Sequence, residues 1–567
     1  MMMRRPLLLA WMASAILFFV GTPAAAQTAV RFDRPRTFDV ERYVIRLRFD
    51  RAKRTVFGDT TVTLAPIDRP LRTVELDAVG MTFQSVELGP PAASKRLAAK
   101  SAGGKVAVKL DRAYRPGETI ALRFVYSTRP QKGVFFVPAL IEDGKEVRSE
   151  QIWTQNQPED ARHWFPSFDF PSDKATTELF INARKDETVV SNGRELEPIA
   201  EADGSVTRHF EMDVPHSTYL VSFVVGRYVR QEGTSRGVPL GYYVYPGREA
   251  IVPRAFGSTP RMIEAFEDAT GVKFPFNKYD QTIVGGFENL SGMENITATT
   301  LSDRDVFFAE LDLGRATVED LVSHELAHSW FGNMVTCRNW SELWLNEGFA
   351  TFMEAVSRER LYGRDSYIRK LRSDVAQYLA DDAIAKRRHA LVNLTARPDD
   401  SLFDATTYQK GAAVIHMLRE EVGDEAFWKA VNAYLQKFRF GNVVTSDLQA
   451  AMEAAAGRKL DWFFKQWVYS TGYPKLEYDH EFNRADGTLR IRVRQTQTAA
   501  GVAPEFFRLP LEIEVATASG HKLVPLMMNA RTAEIIVRVG GEPTAVRIDP
   551  QEKLILKSVN VQKAAQK

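Results

Sequence analysis

Residues 316–350 read ATVEDLVSHELAHSWFGNMVTCRNWSELWLNEGFA. The first half of this stretch has a helical pattern and places His324 and His328 four residues apart. At about 100° per residue, that spacing brings both imidazoles to one helix face, with Glu325 beside the first. The spacing predicts a helix whose histidines share a tetrahedral Zn²⁺. On this motif alone, a helix with two unrelated structural histidines stays an alternative.

The second half of the stretch supplies a third ligand. Glu347 follows His328 after eighteen residues, which allows one helix to end near Gly332 and a second, capped by Ser341, to return a carboxylate. Three protein ligands leave a fourth position open, as catalytic zinc requires. Zinc lowers the pKa of bound water to about 7, and Glu325 is the predicted general base. The pattern therefore predicts hydrolysis of an amide bond with one Zn²⁺.

Hydrophobic periodicity on either side predicts a multidomain α+β protein. From about 30 to 238 the pattern has period two, as in Ile45, Leu47 and Phe49, which predicts an all-β domain over 27–240. A mainly helical domain is predicted over 241–473 and a β-sandwich over 474–567. The predicted helices are 259–269, 316–332, 341–361, 366–380, 408–422 and 444–456, and the last predicted strands are 489–495, 509–515 and 534–539.

The first residues have the pattern of a signal peptide. Arg4 and Arg5 precede an apolar run, 7–20, which is followed by the small residues 24–26. The run is shorter than the roughly 20 apolar residues that span a bilayer, so we expect cleavage before Gln27, with a retained anchor as the alternative. The sequence thus predicts a periplasmic protein with no stable membrane span after cleavage.

The composition is that of an ordinary globular protein, with 44% hydrophobic and 26% charged residues. A formal net charge of +2 gives no large field of one sign, so no nucleic-acid partner is predicted. The single cysteine, Cys337, cannot form an internal disulfide. We interpret Cys337 as a buried packing residue, because the nitrogen and oxygen ligand set is complete without it.

Five segments, the first of which contains the histidine motif, together form a distinctive pattern. They are HELAHSWFGN at 324–333, WLNEGFA at 344–350, SGMEN at 291–295, TYQKGA at 407–412 and TQNQPEDARHWFPSFDFP at 154–171. With them the chain resembles the aminopeptidase N family of gluzincin metallopeptidases over nearly all of its predicted mature length. The resemblance implies a saddle-like β domain, a thermolysin-like catalytic domain and a β-sandwich. It also implies a zinc aminopeptidase whose substrates are peptides with a free N-terminus.

The resemblance also assigns the segment Gly292-Met293-Glu294 to substrate binding. In relatives the glutamate of this motif binds the substrate's N-terminal ammonium, and Glu294 matches it. A buried carboxylate at a fixed distance from the zinc would pair with that cation and so select the first peptide bond. This role makes the expected enzyme an exopeptidase.

Three further roles follow from the resemblance. Gln157 matches a position that helps to hold the same amine, and Gln155 matches a neighbouring position in the first substrate pocket. Tyr408 matches the tyrosine that donates a hydrogen bond to the oxyanion of the tetrahedral intermediate. For either glutamine the alternative is a surface loop side chain, and for Tyr408 it is a packing residue at the start of a helix.

Two departures from the family pattern are visible. Ser291 stands where relatives often have glycine, and the chain ends after the predicted β-sandwich, where long relatives continue into a helical domain. The second departure predicts freer access to the site and keeps an endopeptidase open as an alternative. A peptide-binding protein that holds zinc without turnover is a third hypothesis, against which intact Glu325 and Tyr408 argue.

Overall fold

The computed structural model of the protein describes residues 33–90, 93–287, 291–384, 388–395, 397–498 and 502–561. The predicted signal peptide, residues 1–26, lies outside them. Within the described ranges no helix is both long enough and apolar enough to cross a bilayer.

The first region is built from strands, as predicted. Alternation in β1 buries Ile45 and Leu47 and leaves Arg46 and Arg48 exposed, so one face of the sheet packs on a core. The largest sheet has the order β15-β16-β13-β1-β2-β8-β4-β5, in which only β1 and β13 pair in parallel. The strands are β1 (Phe38–Asp50), β2 (Thr55–Pro66), β3 (Leu71–Asp77), β4 (Met81–Leu88), β5 (Lys95–Arg96), β6 (Ala98–Ala102), β7 (Lys105–Tyr114), β8 (Ile120–Thr128), β9 (Gly133–Val137), β10 (Leu140–Glu142), β11 (Lys145–Arg148), β12 (Gln151–Gln155), β13 (Lys174–Ala183), β14 (Thr188–Ser191), β15 (Arg194–Ala200), β16 (Val206–Ser217) and β17 (Phe223–Gly226).

A second sheet, with the order β14-β17-β12-β9, docks the first region onto the central one. The Gln151 side chain accepts a hydrogen bond from the Gly285 N–H at 2.9 Å, and the Trp153 indole donates to the Gly285 carbonyl at 3.1 Å. A Cβ on Gly285 would lie 1.7 Å from Nη1 of Arg148, so any larger residue would have to displace that guanidinium. These contacts fix β12 at the border of the two regions.

The central region combines a mixed sheet with helices. The sheet has the order β18-β19-β20-β22-β21, and the expected division near residue 240 falls within β19. Its strands are β18 (Val229–Ser235), β19 (Val238–Val244), β20 (Tyr279–Val284), β21 (Gly292–Met293) and β22 (Ala298–Ser302), and a separate pair is formed by β23 (Thr336–Cys337) and β24 (Asn442–Val443).

All six predicted helices occur, as α2, α4, α5, α6, α7 and α9. Helices α1, α3, α8 and α10 were not predicted; the longest of them, α8, is separated from α7 by Gly423 alone. The helices are α1 (Val252–Ala255), α2 (Thr259–Thr270), α3 (Asp303–Phe307), α4 (Arg315–Ala327), α5 (Trp344–Tyr362), α6 (Arg364–Asp382), α7 (Gly411–Val422), α8 (Asp424–Lys437), α9 (Thr445–Ala456) and α10 (Asp461–Trp467).

The connection between α4 and α5 differs from the prediction in two respects. Helix α4 ends at Ala327 and not near Gly332, whose φ of 133° places it in an irregular turn. The predicted cap at Ser341 is wrong: its hydroxyl has no hydrogen-bond partner among the described residues, and Asn339 is the cap, accepting from the Ser341 N–H at 3.0 Å. A 3₁₀ turn, Trp340–Glu342, then leads into α5.

The last region consists of strands, and the three predicted segments occur as β26, β27 and β29. They form two sheets, with the orders β29-β26-β25-β31 and β28-β27-β30. Alternate residues of β26 and β27 are buried, including Ile491 and Ile513, so each sheet contributes one apolar face. The strands are β25 (Lys475–Asn483), β26 (Thr488–Gln495), β27 (Leu509–Thr517), β28 (Gly520–Met528), β29 (Thr532–Arg538), β30 (Pro543–Ile548) and β31 (Lys557–Asn560).

Candidate active site

The three predicted metal ligands converge on one point. His324 lies in the last turn of α4, His328 follows the end of that helix, and Glu347 lies in the first turn of α5. The two Nε2 atoms are 3.1 Å apart, and each lies 3.3 Å from Oε2 of Glu347. All three side chains are buried.

The other ring nitrogens of both histidines, the Nδ1 atoms, lie next to hydrogen-bond acceptors. Nδ1 of His324 lies 2.9 Å from Oε1 of Glu354, and Nδ1 of His328 lies 2.9 Å from the Phe331 carbonyl oxygen. Both partners are acceptors, so each neutral imidazole carries its proton on Nδ1. In the neutral form that binds a metal, both rings would therefore turn an Nε2 lone pair toward the Glu347 carboxylate oxygen.

This arrangement fits Zn²⁺. Ligands at about 2.0–2.1 Å from a tetrahedral ion are separated by roughly 3.3–3.4 Å. The observed separations of 3.1 and 3.3 Å are close to that, and two imidazoles with one carboxylate form a common catalytic set for zinc. Cys337 is buried in β23 and lies outside the ligand cluster, as predicted.

Glu354 orients the first ligand and was not predicted. It lies seven residues after Glu347 on α5, which places both carboxylates on the same helix face. Its second oxygen, Oε2, forms an ion pair with the ammonium of the buried Lys370 at 2.9 Å. The same ammonium lies 2.6 Å from a carboxylate oxygen of Asp374. The buried cation holds Glu354 ionised and fixed beside His324.

We expect Glu354→Gln to weaken zinc binding by about 10-fold to 100-fold, because removing such an outer partner makes the histidine a poorer ligand. Competition with a chromophoric chelator measures this affinity. The control is Glu359→Gln, which removes a carboxylate on the same helix that pairs with Arg364 and Arg419. Equal zinc affinity in the two variants would contradict the role of Glu354.

Glu325 lies beside the ligands and in contact with the strand that carries Gly292. A Cβ on Gly292 would lie 2.2 Å from Oε1 of Glu325 and 2.6 Å from its Cδ. Oε2 of Glu325 is buried and has no hydrogen-bond partner among the described residues. The missing side chain at residue 292 therefore makes room for the predicted general base and leaves one of its oxygens available.

A methyl group at residue 292 should displace that base. In Gly292→Ala we expect kcat to fall about 100-fold, since a shift of about 1 Å in a catalytic group has that effect. Ser291→Ala, at the exposed neighbouring position, should keep its kcat. Steady-state kinetics on one aminoacyl-arylamide measures both, and a Gly292→Ala enzyme with full kcat would show that Glu325 is not held by this contact.

The predicted amine-binding residues lie next to the ligands. Glu294 is buried, and its backbone carbonyl accepts a hydrogen bond from the Asn333 side chain at 2.8 Å. Nε2 of Gln157 lies 3.3 Å from Oε1 of Glu294 and 3.4 Å from Oε1 of Glu347. Gln157 thus reaches from the first region and joins the predicted amine-binding carboxylate to a metal ligand.

Gln155 and Met293 have different surroundings. Gln155 ends β12, and both its amide atoms are buried without a hydrogen-bond partner among the described residues. Met293 is buried in β21, where it pairs with Thr300. The structure thus brings Gln157, but not Gln155, into hydrogen-bond distance of Glu294.

Tyr408 stacks on a metal ligand. Its ring lies 5.7 Å from the His324 ring at an angle of 14°, within a π-helical turn over Thr406–Lys410. Helix α7 follows this turn and crosses α5 closely, because a Cβ on Gly411 would lie 2.8 Å from the Cα of Gly348. Two glycines in contact therefore place the tyrosine beside the predicted zinc site.

Burial and charge set the proton affinities in this pocket. Burial raises the pKa of Glu325 to about 8, although the charges of the two histidines oppose the shift. Burial likewise raises the pKa of Glu294. The pKa of Tyr408 is raised, first by burial and then by the charges of Glu347, Glu294 and Glu325. The phenol is therefore protonated and can donate a hydrogen bond.

Two residues were missed although the sequence carried a signal for each. The seven-residue spacing of Glu354 from Glu347 places it two helical turns away on the ligand face. Asn333 ends the quoted motif at 324–333, and its contact with Glu294 explains an amide at that position. Lys370 lies on a different helix and carried no comparable signal.

Comparison with known proteins covers the first two regions. A model described as "Peptidase M1 N-terminal domain" matches residues 39–220, and one described as "Peptidase family M1 domain" matches residues 254–467. The second match contains all three zinc ligands predicted from spacing.

Similar curated proteins carry aminopeptidase names. "Aminopeptidase N" of Streptomyces lividans is 32% identical over 70% of this chain and 47% of its own length. "Aminopeptidase 2" of Candida albicans is 28% identical over 83% of this chain and 48% of its own length, and "Glutamyl aminopeptidase" of Mus musculus is 33% identical over 60% and 36%. The matched part of this chain thus spans half or less of each of these relatives. With two models of one family matching most of its length, the chain belongs to peptidase family M1.

Proposed function

We propose that the protein is a zinc-dependent aminopeptidase that hydrolyses the N-terminal peptide bond of peptides. The observation that carries the proposal is the position of Glu294, buried beside the ligand cluster and joined to Glu347 through Gln157. A metal hydrolase without selectivity for a free amine needs Glu347 and Glu325 but has no need of a further buried carboxylate at the position of Glu294. The aminopeptidase names of the relatives support the same proposal.

Glu294 would recognise the substrate's ammonium. An ionised carboxylate and an ammonium form a strong, charge-assisted hydrogen bond, and Gln157 would orient the carboxylate through its amide. The ammonium would stabilise the ionised form of Glu294, which burial disfavours in the free enzyme. Binding would thus hold the first peptide bond at a fixed distance from the metal ligands.

The metal ligands, Glu325 and Tyr408 would each have a separate role in the hydrolysis. One Zn²⁺ on His324, His328 and Glu347 would act as a Lewis acid that activates water and polarises the scissile carbonyl. Glu325 would take a proton on its unpartnered Oε2 and pass it to the leaving amine. Tyr408 would donate its phenolic proton in a hydrogen bond to the developing oxyanion.

We further propose a thermolysin-like arrangement of α4 and α5 in the central region and a β-sandwich made of the two C-terminal sheets. The saddle-like form of the first region belongs to the same proposal. The sequence-based limits are 27–240, 241–473 and 474–567. We propose one change, which places the first division just before Val229, because β18 and β19 pair with the central sheet. Cleavage of residues 1–26 and a periplasmic location complete the proposal.

A panel of aminoacyl-arylamides tests the function. Zinc-loaded protein should release the arylamine, protein treated with a chelator should not, and added Zn²⁺ should restore the rate. Mass spectrometry of an unblocked decapeptide should show loss of single N-terminal residues. Zinc binding without any released product would instead favour a peptide-binding protein.

A further inference from the structure

The backbone turn that carries Tyr408 departs from regular α-helix. Thr406–Lys410 forms a π-helical turn, in which the Lys410 N–H donates to the Ala405 carbonyl at 2.9 Å. A π turn holds one residue more than an α turn, is rare, and occurs frequently at functional sites. Contacts outside the regular helical hydrogen bonds are therefore needed to hold its geometry.

Asp404 supplies these contacts. Its side-chain Oδ1 accepts hydrogen bonds from the N–H of Thr406 at 3.1 Å and the N–H of Thr407 at 3.0 Å. Its backbone carbonyl accepts the N–H of Tyr408 at 3.1 Å. The first N–H groups of a helical turn have no partner within the turn. One residue thus satisfies three of them in succession, and the last belongs to the tyrosine.

The second carboxylate oxygen of Asp404 is held by a histidine. Nε2 of His389 lies 2.7 Å from Oδ2 of Asp404, and Nδ1 of the same ring lies 2.7 Å from the Ala390 carbonyl oxygen. Only 14% of the His389 side chain and 15% of the Asp404 side chain are exposed. Four residues after His389, the Asn393 N–H donates to the Ser341 carbonyl at 3.1 Å, which ties this segment to the turn before α5. Asp404 is therefore held from both sides.

The position of the Tyr408 hydroxyl depends on this turn. One face of the ring stacks on His324, so the ring has little freedom to compensate for a shift of its backbone. An oxyanion donor has to lie about 2.7–3.1 Å from the oxygen on which the charge develops. A displacement of about 1 Å can lower the rate about 100-fold. A relaxed turn would therefore weaken catalysis with every residue that contacts the substrate still present.

We propose that Asp404, held by His389, is a positioning residue that places the Tyr408 hydroxyl for the oxyanion. The inference rests on the proposed role of Tyr408 and extends it to residues that contact neither the metal nor the substrate. Asp404 lies outside the zinc ligand cluster, so changing it should leave the metal in place.

Substitutions at residue 404 test the proposal, with steady-state kinetics on an aminoacyl-arylamide and zinc content measured in the same samples. Asp404→Ala should lower kcat about 10-fold to 100-fold and change KM and zinc content little, since an oxyanion donor acts only in the transition state. Asp404→Asn should recover kcat to within about threefold of the wild type. Its side-chain oxygen caps as well as a carboxylate, and its amide can donate to Nε2 of a neutral His389.

A neighbouring aspartate gives a matched control. Asp399 lies five residues before Asp404, and its Oδ1 accepts the Ser401 N–H at 3.0 Å, which caps the separate 3₁₀ turn Asp400–Leu402. Asp399→Ala should keep the wild-type kcat. The control distinguishes the position of Tyr408 from a general effect of losing a capping carboxylate in this segment.

A double-mutant cycle shows whether Asp404 acts through the hydroxyl. In the Tyr408→Phe background, Asp404→Ala should lower kcat less than about threefold further, because the group that it positions is already gone. The same loss in both backgrounds would overturn the inference. If Asp404→Ala does not fold, His389→Leu takes its place in both backgrounds. It should lower kcat about three- to tenfold in the wild type and have no further effect in Tyr408→Phe.

The same measurements separate this inference from the proposed function. If Tyr408→Phe keeps the wild-type kcat, the oxyanion role of Tyr408 is wrong, and the inference fails with it. If Tyr408→Phe loses activity but Asp404→Ala, or His389→Leu in its place, does not, the proposed function stands and only the positioning role is wrong.

Discussion

Glu325→Gln should lower kcat by about 10³-fold, within the 10²–10⁴-fold range typical of a general base. Glutamine has the shape of glutamate, so it should fit against Gly292 in the same way, but it cannot take a proton. The surroundings of the carboxylate also increase its basicity. Burial raises the pKa of Glu325 to about 8, so once ionised it is a stronger base than an exposed glutamate.

Steady-state kinetics on an aminoacyl-arylamide, with zinc content measured in the same samples, checks this expectation. The variant should hold as much zinc as the wild type, because Glu325 is not one of the three converging ligands. A variant with full zinc and more than a tenth of the wild-type kcat would show that Glu325 is not the base.

Tyr408→Phe should lower kcat by about 10²–10³-fold and change KM little, which is the usual result of removing one oxyanion donor. Phenylalanine keeps the stacking on His324 and loses only the hydroxyl. Since burial and then the surrounding carboxylates raise the pKa of Tyr408, the native hydroxyl is protonated throughout the neutral range.

The same substrate series measures this second variant. Trp or Leu at residue 408 would also disturb the contact with His324, so Tyr408→Phe is the informative change. A fall in zinc content or a large rise in KM with unchanged kcat would mean that the tyrosine packs the site and does not stabilise the oxyanion.

Local spacing predicted the metal centre because the ligands lie on helices whose geometry is regular. The four-residue step from His324 to His328 determines their common face, and the step to Glu347 needs only one reversal of the chain. The course of that reversal was not predicted. It depends on Asn339, whose side chain accepts a hydrogen bond from the Ser341 N–H and so caps a 3₁₀ turn that the sequence pattern did not predict.

The substrate side of the site was less accessible to sequence reasoning. Gln157 reaches Glu294 across 137 residues of sequence, through a sheet that docks on Gly285. No local period encodes such a contact, and the role of Gln157 came only from resemblance. Lys370 is a similar case, since its buried pairing with Glu354 joins two helices. Contacts of this kind depend on the packing of whole elements.

The most direct test of the central claim compares an unblocked peptide with its N-acetylated twin, in the wild type and in Glu294→Gln. Losing a charge-assisted pair and leaving an ammonium unpaired removes about 3–4 kcal/mol, or roughly 10²–10³-fold. We expect the wild type to prefer the unblocked peptide by at least that factor in kcat/KM. Glu294→Gln should lose the preference by slowing on the unblocked peptide alone. Equal rates on the two peptides in the wild type would contradict the assignment of an aminopeptidase.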